Sequence, residues 1–379
     1  MLKRFTLLVS GIFLIIACLI ISGFQNSNYL NPDSDFDLSL QKEIDHSIIQ
    51  GLKWLYTQQE ENGSWQHHPA ITSLVLSSFL RAHPNISYQD SNIMAGFNFL
   101  KTCIKPDGSI YQNDMPNYNT SICLIAFKDA NNPEFHNIIK NAENYLIRLQ
   151  IDNDNGYTVD SLYYGGVGYG GDERPDISNL QWAIEAFQNR EEFKMEKTLT
   201  NEQKQREQQK KLFYDKALIF LSKCQNLKSI NPEDYSGNDG GFMYEPGSSK
   251  AGGTLSYGSM TYAGLKSMIY AKVDKDDERV QAAYNWIKQN YSVESTPKMG
   301  DQGLFYYYQT MAKALNAYDE DIITDTNGVE HNWREEFADQ LIKIQNEEGW
   351  WQNENGRWWE NNKVLVTAYC LLSLEEILQ

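Results

Sequence analysis

Positive charge is scarce in this sequence. It holds 33 Lys and Arg against 50 Asp and Glu, a formal net charge of −17 over 379 residues. A chain this acidic repels phosphate backbones, which excludes nucleic acid as an expected partner. Cysteine is sparse too, at five. Cys103, Cys123, Cys224 and Cys370 sit in apolar stretches without CxxC spacing. That pattern is neither a disulfide framework nor a zinc signature, and it leaves them as buried small hydrophobes. Few stretches alternate polar and apolar residues as strands do, so a β class is not expected. What the chain has in excess is aromatic: 13% of residues, with 23 Tyr and 9 Trp. Such an excess needs a use, in packing or in a lined cavity.

The N-terminus reads as a targeting segment. Lys3 and Arg4 make a basic start, Phe5 to Phe24 is almost wholly apolar, and Ser22-Gly23 supplies a small pair. Residues 1–24 therefore suit a signal peptide or a retained anchor. Ile15-Ile16-Ala17-Cys18 resembles a bacterial lipobox with Cys18 as the lipidated residue, although Leu19-Ile20-Ile21 stays apolar where lipoproteins turn polar. Lipoprotein, uncleaved anchor and cleaved secreted form all remain open, and each places the chain outside the cytoplasm. Residues 25–41 read as a polar tether.

Length alone suggests roughly two domains. An internal repeat of about 45–60 residues argues instead for one. Each copy is an apolar helix, a glycine-bearing polar turn and a second apolar helix. The first runs GLKWLYTQQEENGSW then AITSLVLSSFL, and the sixth runs FADQLIKIQNEEGWW then VLVTAYCLLSLEEIL. Gly63, Gly108, Gly156, Gly240, Gly300 and Gly349 mark the turns. Helical spacing is plain in the last outer helix, where Phe337, Leu341, Ile342 and Ile344 form a stripe. A helix pair cannot bury its faces alone, but six pairs can close into a ring with the second helix of each pair inside. Residues 191–211, rich in Glu, Gln and Lys without apolar period, read as a solvated insertion.

Gln58–Trp65 (QQEENGSW) and Gln345–Trp351 (QNEEGWW) resemble the Gln-Trp motifs of squalene and oxidosqualene cyclases. The resemblance covers roughly residues 42–379 and places the chain near the prenyltransferase and squalene-cyclase group. It implies an all-α fold, an α/α toroid of six helical hairpins with inner and outer rings, in which the motif braces neighbouring repeats.

The chemistry of that group is mostly replaced. Class II cyclases protonate an alkene with the middle Asp of D-x-D-D at the start of an inner helix. The similar stretch here is Pro175-Asp176-Ile177-Ser178-Asn179, with Ser178 at the acid position. A literal Asp274-Lys275-Asp276-Asp277 precedes an outer helix, where acids serve as caps. Protein prenyltransferases hold zinc with Asp, Cys and His; the resembling positions are Gln302, Leu304 and Val366, which do not bind Zn²⁺. No metal and no cofactor is expected. The thioester signature Gly-Cys-Gly-Glu-Gln is absent. Gly166 to Gly171 formally matches GxGxxG but follows no strand, so it reads as a close-packed rim loop rather than a dinucleotide site.

What remains is an aromatic lining. Tyr118, Trp182, Tyr257, Tyr262, Tyr306, Tyr307, Tyr308 and Tyr369 fall on inner-helix segments, and Trp350, Trp351, Trp358 and Trp359 cluster in the last turn. The expected site has a polar end at Asp176, Ser178 and Asn179, with Tyr257, Tyr262 and Tyr307 along its wall and His68 at its mouth. Asp176 is the one candidate catalytic residue. The expected partner is a hydrophobic small molecule or lipid, isoprenoid-like by the resemblance, with membrane contact through the N-terminus. Two other readings stand beside binding: a non-standard terpene cyclase, isomerase or prenyltransferase-like enzyme, and a toroid acting on polysaccharide, for which Asp176, Asp239, Glu245 and Asp301 are the available carboxylates.

Overall fold

A computed structural model describes residues 37–82, 86–170, 174–188 and 200–379. The targeting segment, Cys18 and nearly all of the tether lie outside them. Among the described residues twelve α-helices run in six pairs. They are α1 (Leu38–Thr57), α2 (Pro69–Ala82), α3 (Ser91–Thr102), α4 (Pro116–Asp129), α5 (His136–Arg148), α6 (Ile177–Ala186), α7 (Asn201–Cys224), α8 (Gly258–Tyr270), α9 (Glu278–Asn290), α10 (Leu304–Tyr318), α11 (Trp333–Ile344) and α12 (Lys363–Ile377). The even-numbered helices form an inner ring in which each packs on the next, and α12 packs on α2 to close it. The odd-numbered helices stand outside, and α11 meets α1 at the same junction.

The sequence dictates this division. In α12 every residue from Val364 to Ile377 is buried, as expected of a helix apolar all round. In α11 only Trp333, Phe337, Ala338 and Leu341 are buried, one stripe of an amphipathic outer helix. Ile342 and Ile344 of the expected stripe are only partly covered. Among the described residues no helix is long and apolar enough to cross a membrane.

The Gln-Trp stretches fasten the ring. Gln59 Nε2 donates to Gly63 O in its own turn at 2.9 Å and to Asn92 O on α3 at 2.8 Å. Gln345 does the same with Gly349 O and, across the closure, Ser47 O of α1. Trp65 and Trp351 donate their indole N–H groups to Leu55 O and Leu341 O, tying each turn to the end of its outer helix. Gln150 and Gln225 repeat the double bond, to Gly165 O and Phe213 O and to Gly240 O and Arg279 O.

Three expectations need correction. The turn glycine of the third repeat is Gly165, not Gly156: Gly165 accepts from Gln150 and its backbone presses on α7, whereas a side chain at Gly156 would meet nothing. The stretch expected as an insertion is helical from Asn201, the first turns of α7, and Lys210 is buried against Glu143 at 3.1 Å. Its Gln and Lys residues face water on one side, which hides the helical period; residues 191–199 lie outside the described residues. A short hairpin, β1 (Ile322–Thr324) with β2 (Glu330–Asn332), also joins α10 to α11, antiparallel and in register Ile323 to His331. The DKDD stretch behaves as read: Asp277 caps α9, accepting from Arg279 N at 2.9 Å.

Candidate ligand cavity

All six inner helices point their N-termini to one end of the ring, and a cavity of about 300 Å³ opens there. Small-molecule pockets begin at roughly this size. Its wall comes from the first turns of the inner helices and the turns before them. Tyr118, Tyr257, Tyr306 and Tyr369 line it, joined by Ile71, Leu74, Ile122, Met260 and Leu365, with Tyr169, Tyr244, Trp358 and Trp359 on the loops. The aromatic lining expected from the sequence is therefore present, although its members differ in part.

Tyr257, Ser178 and His68 lie on the cavity as expected. Burial lowers the His68 imidazole below its ordinary pKa, and the ring meets Trp359 edge-on at 5.6 Å. Tyr262 and Tyr307 do not line the cavity. They meet edge-to-face at 5.5 Å away from the cavity, and Tyr307 donates outward to Ser292 O at 2.8 Å. One position along α10 decides this, since Tyr306 faces the lumen and Tyr307 is rotated about 100° from it. Asp176 and Asn179 sit behind the wall. Asp176 caps α6, accepting from Asn179 N and Asn179 Nδ2, both at 2.8 Å. Asn179 also contacts Asn117 Nδ2 of α4 at 3.2 Å. Burial pushes the Asp176 carboxyl up to about 6. The glycine loop packs at the rim, where Gly168 O accepts from Asn117 Nδ2 and Tyr169 O from Asn117 N.

Glu360 was not anticipated. It lies on the cavity wall, accepting from Tyr306 N at the start of α10 and from Asn353 Nδ2, both at 2.7 Å. Burial pushes its carboxyl up to about 7. The only signal for it was an acid directly after the exposed Trp358-Trp359 pair.

Below the cavity the lumen is charged. Every inner helix contributes charge near its C-terminal end, among them Arg81, Asp129, Glu185, Lys266, Lys313, and the pair Glu375 and Glu376. Arg81 pairs with Asp129 at 2.8 Å and reaches Glu376 at 3.7 Å. Lys266 pairs with Glu185 at 2.6 Å, and Lys313 takes the other oxygen of Glu185. Both ammonium groups lie over the Trp182 ring, at 5.7 and 5.4 Å. Trp182 thus faces this girdle and is not a wall of the cavity. An apolar stripe cannot signal such a layer, because its charges are spread over separate helices across the sequence.

Chemically the wall is neutral and apolar. Burial raises the phenols of Tyr118, Tyr257, Tyr306 and Tyr369, so they stay protonated. Burial raises the Glu360 and Asp176 carboxyls, which keeps a larger protonated fraction of each near neutral pH. Among the described residues no cluster of three or more His, Cys, Asp or Glu is placed to hold a metal. Of the carboxylates considered for polysaccharide chemistry, Asp176, Asp239, Glu245 and Asp301, none lines the cavity.

No family model matches the sequence, and no curated protein matches it. Solved structures of the same fold exist. A variant of the type II terpene cyclase MstE from Scytonema, in complex with merosterolic acid A as product, matches with a TM-score of 0.57 at 12% identity, covering 90% of this chain and 99% of that one. Another MstE variant, in complex with geranylgeranyl dihydroxybenzoate as substrate, gives 0.56 at 12% identity over the same shares. A protein from Actinoplanes gives 0.50 at 12% identity, covering 89% of this chain and 100% of its own. At such identity the likeness is one of fold, and this chain has the all-α toroid of a terpene cyclase.

Proposed function

We propose that this chain binds a hydrophobic, isoprenoid-like molecule in the aromatic cavity, as a binding protein rather than a proton-initiated cyclase. The carrying observation is the wall itself: protonated phenols and aliphatic side chains surround it, and Ser178 stands on it where a proton-initiated cyclase would carry its acid. Apolar bodies with hydroxyl tips suit a prenyl chain with a polar end. The MstE structures, with a geranylgeranyl substrate and its product bound, support the ligand class.

Filling the cavity is the direct test. Ser259 is small and lies on the wall, so Ser259→Trp is expected to reduce binding of a C15 or C20 prenyl lipid by tenfold or more. The native circular dichroism spectrum should persist. Recovery of the lipid unchanged after incubation with the natural chain is the companion result. Turnover to a cyclised product would overturn the binding-only reading, and undiminished binding by the filled variant would overturn the cavity.

We further propose that the chain works outside the cytoplasm, tethered to a membrane through residues 1–24. The support is the basic start, the apolar run and the lipobox-like Cys18. The full chain should need detergent for release, while one starting at Asn26 should not. If the tether is lipid, Cys18→Ala abolishes acylation. Full-length, uncleaved protein that stays soluble without detergent would contradict the tether.

A further inference from the structure

We infer that the cavity selects a ligand with an acceptor oxygen, a carbonyl in particular, over the bare hydrocarbon. A one-way chain of hydrogen-bond donors rising from the charged girdle sets this choice. The inference rests on the proposed hydrophobic ligand and adds the polar group that ligand must carry.

The chain starts at Lys266, whose ammonium has three donors and no acceptor. Its Nζ donates to Glu185 Oε2 at 2.6 Å and to Gln181 Oε1. The Gln181 carbonyl is thereby committed to the lysine, which turns the amide nitrogen the other way. That nitrogen donates to the Tyr306 hydroxyl oxygen at 3.2 Å. Tyr306 now accepts from below, so its own proton points elsewhere. The Ser178 hydroxyl, 3.0 Å away, is its protein neighbour. Either Tyr306 donates to Ser178 and Ser178 points its proton into the cavity, or Ser178 donates to Tyr306 and Tyr306 does so. Both residues line the cavity. In each case the chain ends in one O–H aimed at the ligand.

Charge strengthens the polarity. Lys266 and Lys313 share the carboxylate of Glu185, so the chain starts from a charged donor, not a neutral one, beneath the floor. Hydrogen bonds in series from a cation polarise one another, so the terminal hydroxyl is a better donor than an isolated one. A hydrocarbon leaves this donor unpaired. A carbonyl completes the chain, and a site built around a donor discriminates against ligands that cannot accept.

The test compares farnesene with farnesal, two neutral C15 chains differing in the terminal oxygen, by quenching of intrinsic fluorescence of the full chain. Farnesal is expected to bind at least about tenfold tighter. Tyr306→Phe combined with Ser178→Ala should abolish the preference, lowering farnesal binding about tenfold relative to farnesene. Gln181→Glu tests the direction of the chain. Its carboxylate accepts from both Lys266 and Tyr306, so the Tyr306 proton turns down and the preference should shift from farnesal towards farnesol. A purely structural role for Gln181 would weaken all three ligands alike. Equal binding of farnesene and farnesal by the natural chain overturns the donor assignment and leaves the hydrophobic cavity standing. Failure of both to bind overturns the ligand class and this inference together.

Discussion

Gly349→Ala is expected to lower stability by more than about 4 kcal/mol, the range reserved for a named structural failure, whereas Gly300→Ala should cost only about 1–2 kcal/mol. The two glycines look equivalent in the sequence, each marking the turn of a repeat. Both have positive φ, at 99° and 64°. Around Gly300 a built Cβ meets nothing within 4 Å, so the cost there is the left-handed backbone alone. At Gly349 the same Cβ falls 2.5 Å from Gln50 O and 2.7 Å from Gln50 C on α1. Neither backbone can yield without parting α11 and α12 from α1, the junction that closes the ring. Trp351 is fully buried beside it, near Gly51. The Gln345 bond to Ser47 O crosses the same gap, while its bond to Gly349 O holds the turn. Urea denaturation of both variants gives the comparison. Similar losses would mean the closure tolerates separation, and the ring would not depend on this contact.

The ring was legible because its signals are local and repeated. The turn glycines, the Gln-Trp stretches and the apolar helices recur at fixed offsets, so one misread copy does not obscure the others. Gly156 was such a misreading: it follows a Gln at a plausible distance, and only the approach of α7 to Gly165 separates the two. The start of α7 was obscured for a different reason. Its polar face dominates residues 201–211, and the side chain that reveals burial, Lys210, is itself charged.

The site was legible at the level of residue class and much less at the level of residue number. Ser178 and Tyr257 were placed on the cavity, but Tyr307 was read where Tyr306 belongs. In a run of three tyrosines, composition cannot choose the inward one; helical phase must, and the start of α10 sets that phase. Asp176 caps α6 from behind the wall, as any Asp before a helix does. Glu360 and the girdle need side chains from separate repeats to meet, and no single segment carries that information.

The girdle sets the other large effect. Glu185→Gln should destabilise the protein by about 3–5 kcal/mol at pH 7, because it leaves two buried ammonium groups without their shared carboxylate. Lys266→Met should cost less, since Glu185 keeps Lys313. The cause can be separated from packing by pH. Burial alone would raise the Glu185 carboxyl, but the ammonium groups of Lys266 and Lys313 outweigh it and hold the group down at about 2, against an ordinary value of 4.5. A carboxyl depressed in the folded state adds stability that is fully present above its unfolded value and is lost as pH falls through the folded one. That contribution is roughly 3 kcal/mol at about 1.4 kcal/mol per pKa unit. The natural chain and Glu185→Gln should therefore differ most above pH 5, and their unfolding free energies should converge as the pH falls from about 4.5 towards 2. Chemical denaturation at a series of pH values reads the gap directly. A gap that stays constant across this window would assign the loss to packing around α6, and the lysines would then owe little to the charge of Glu185.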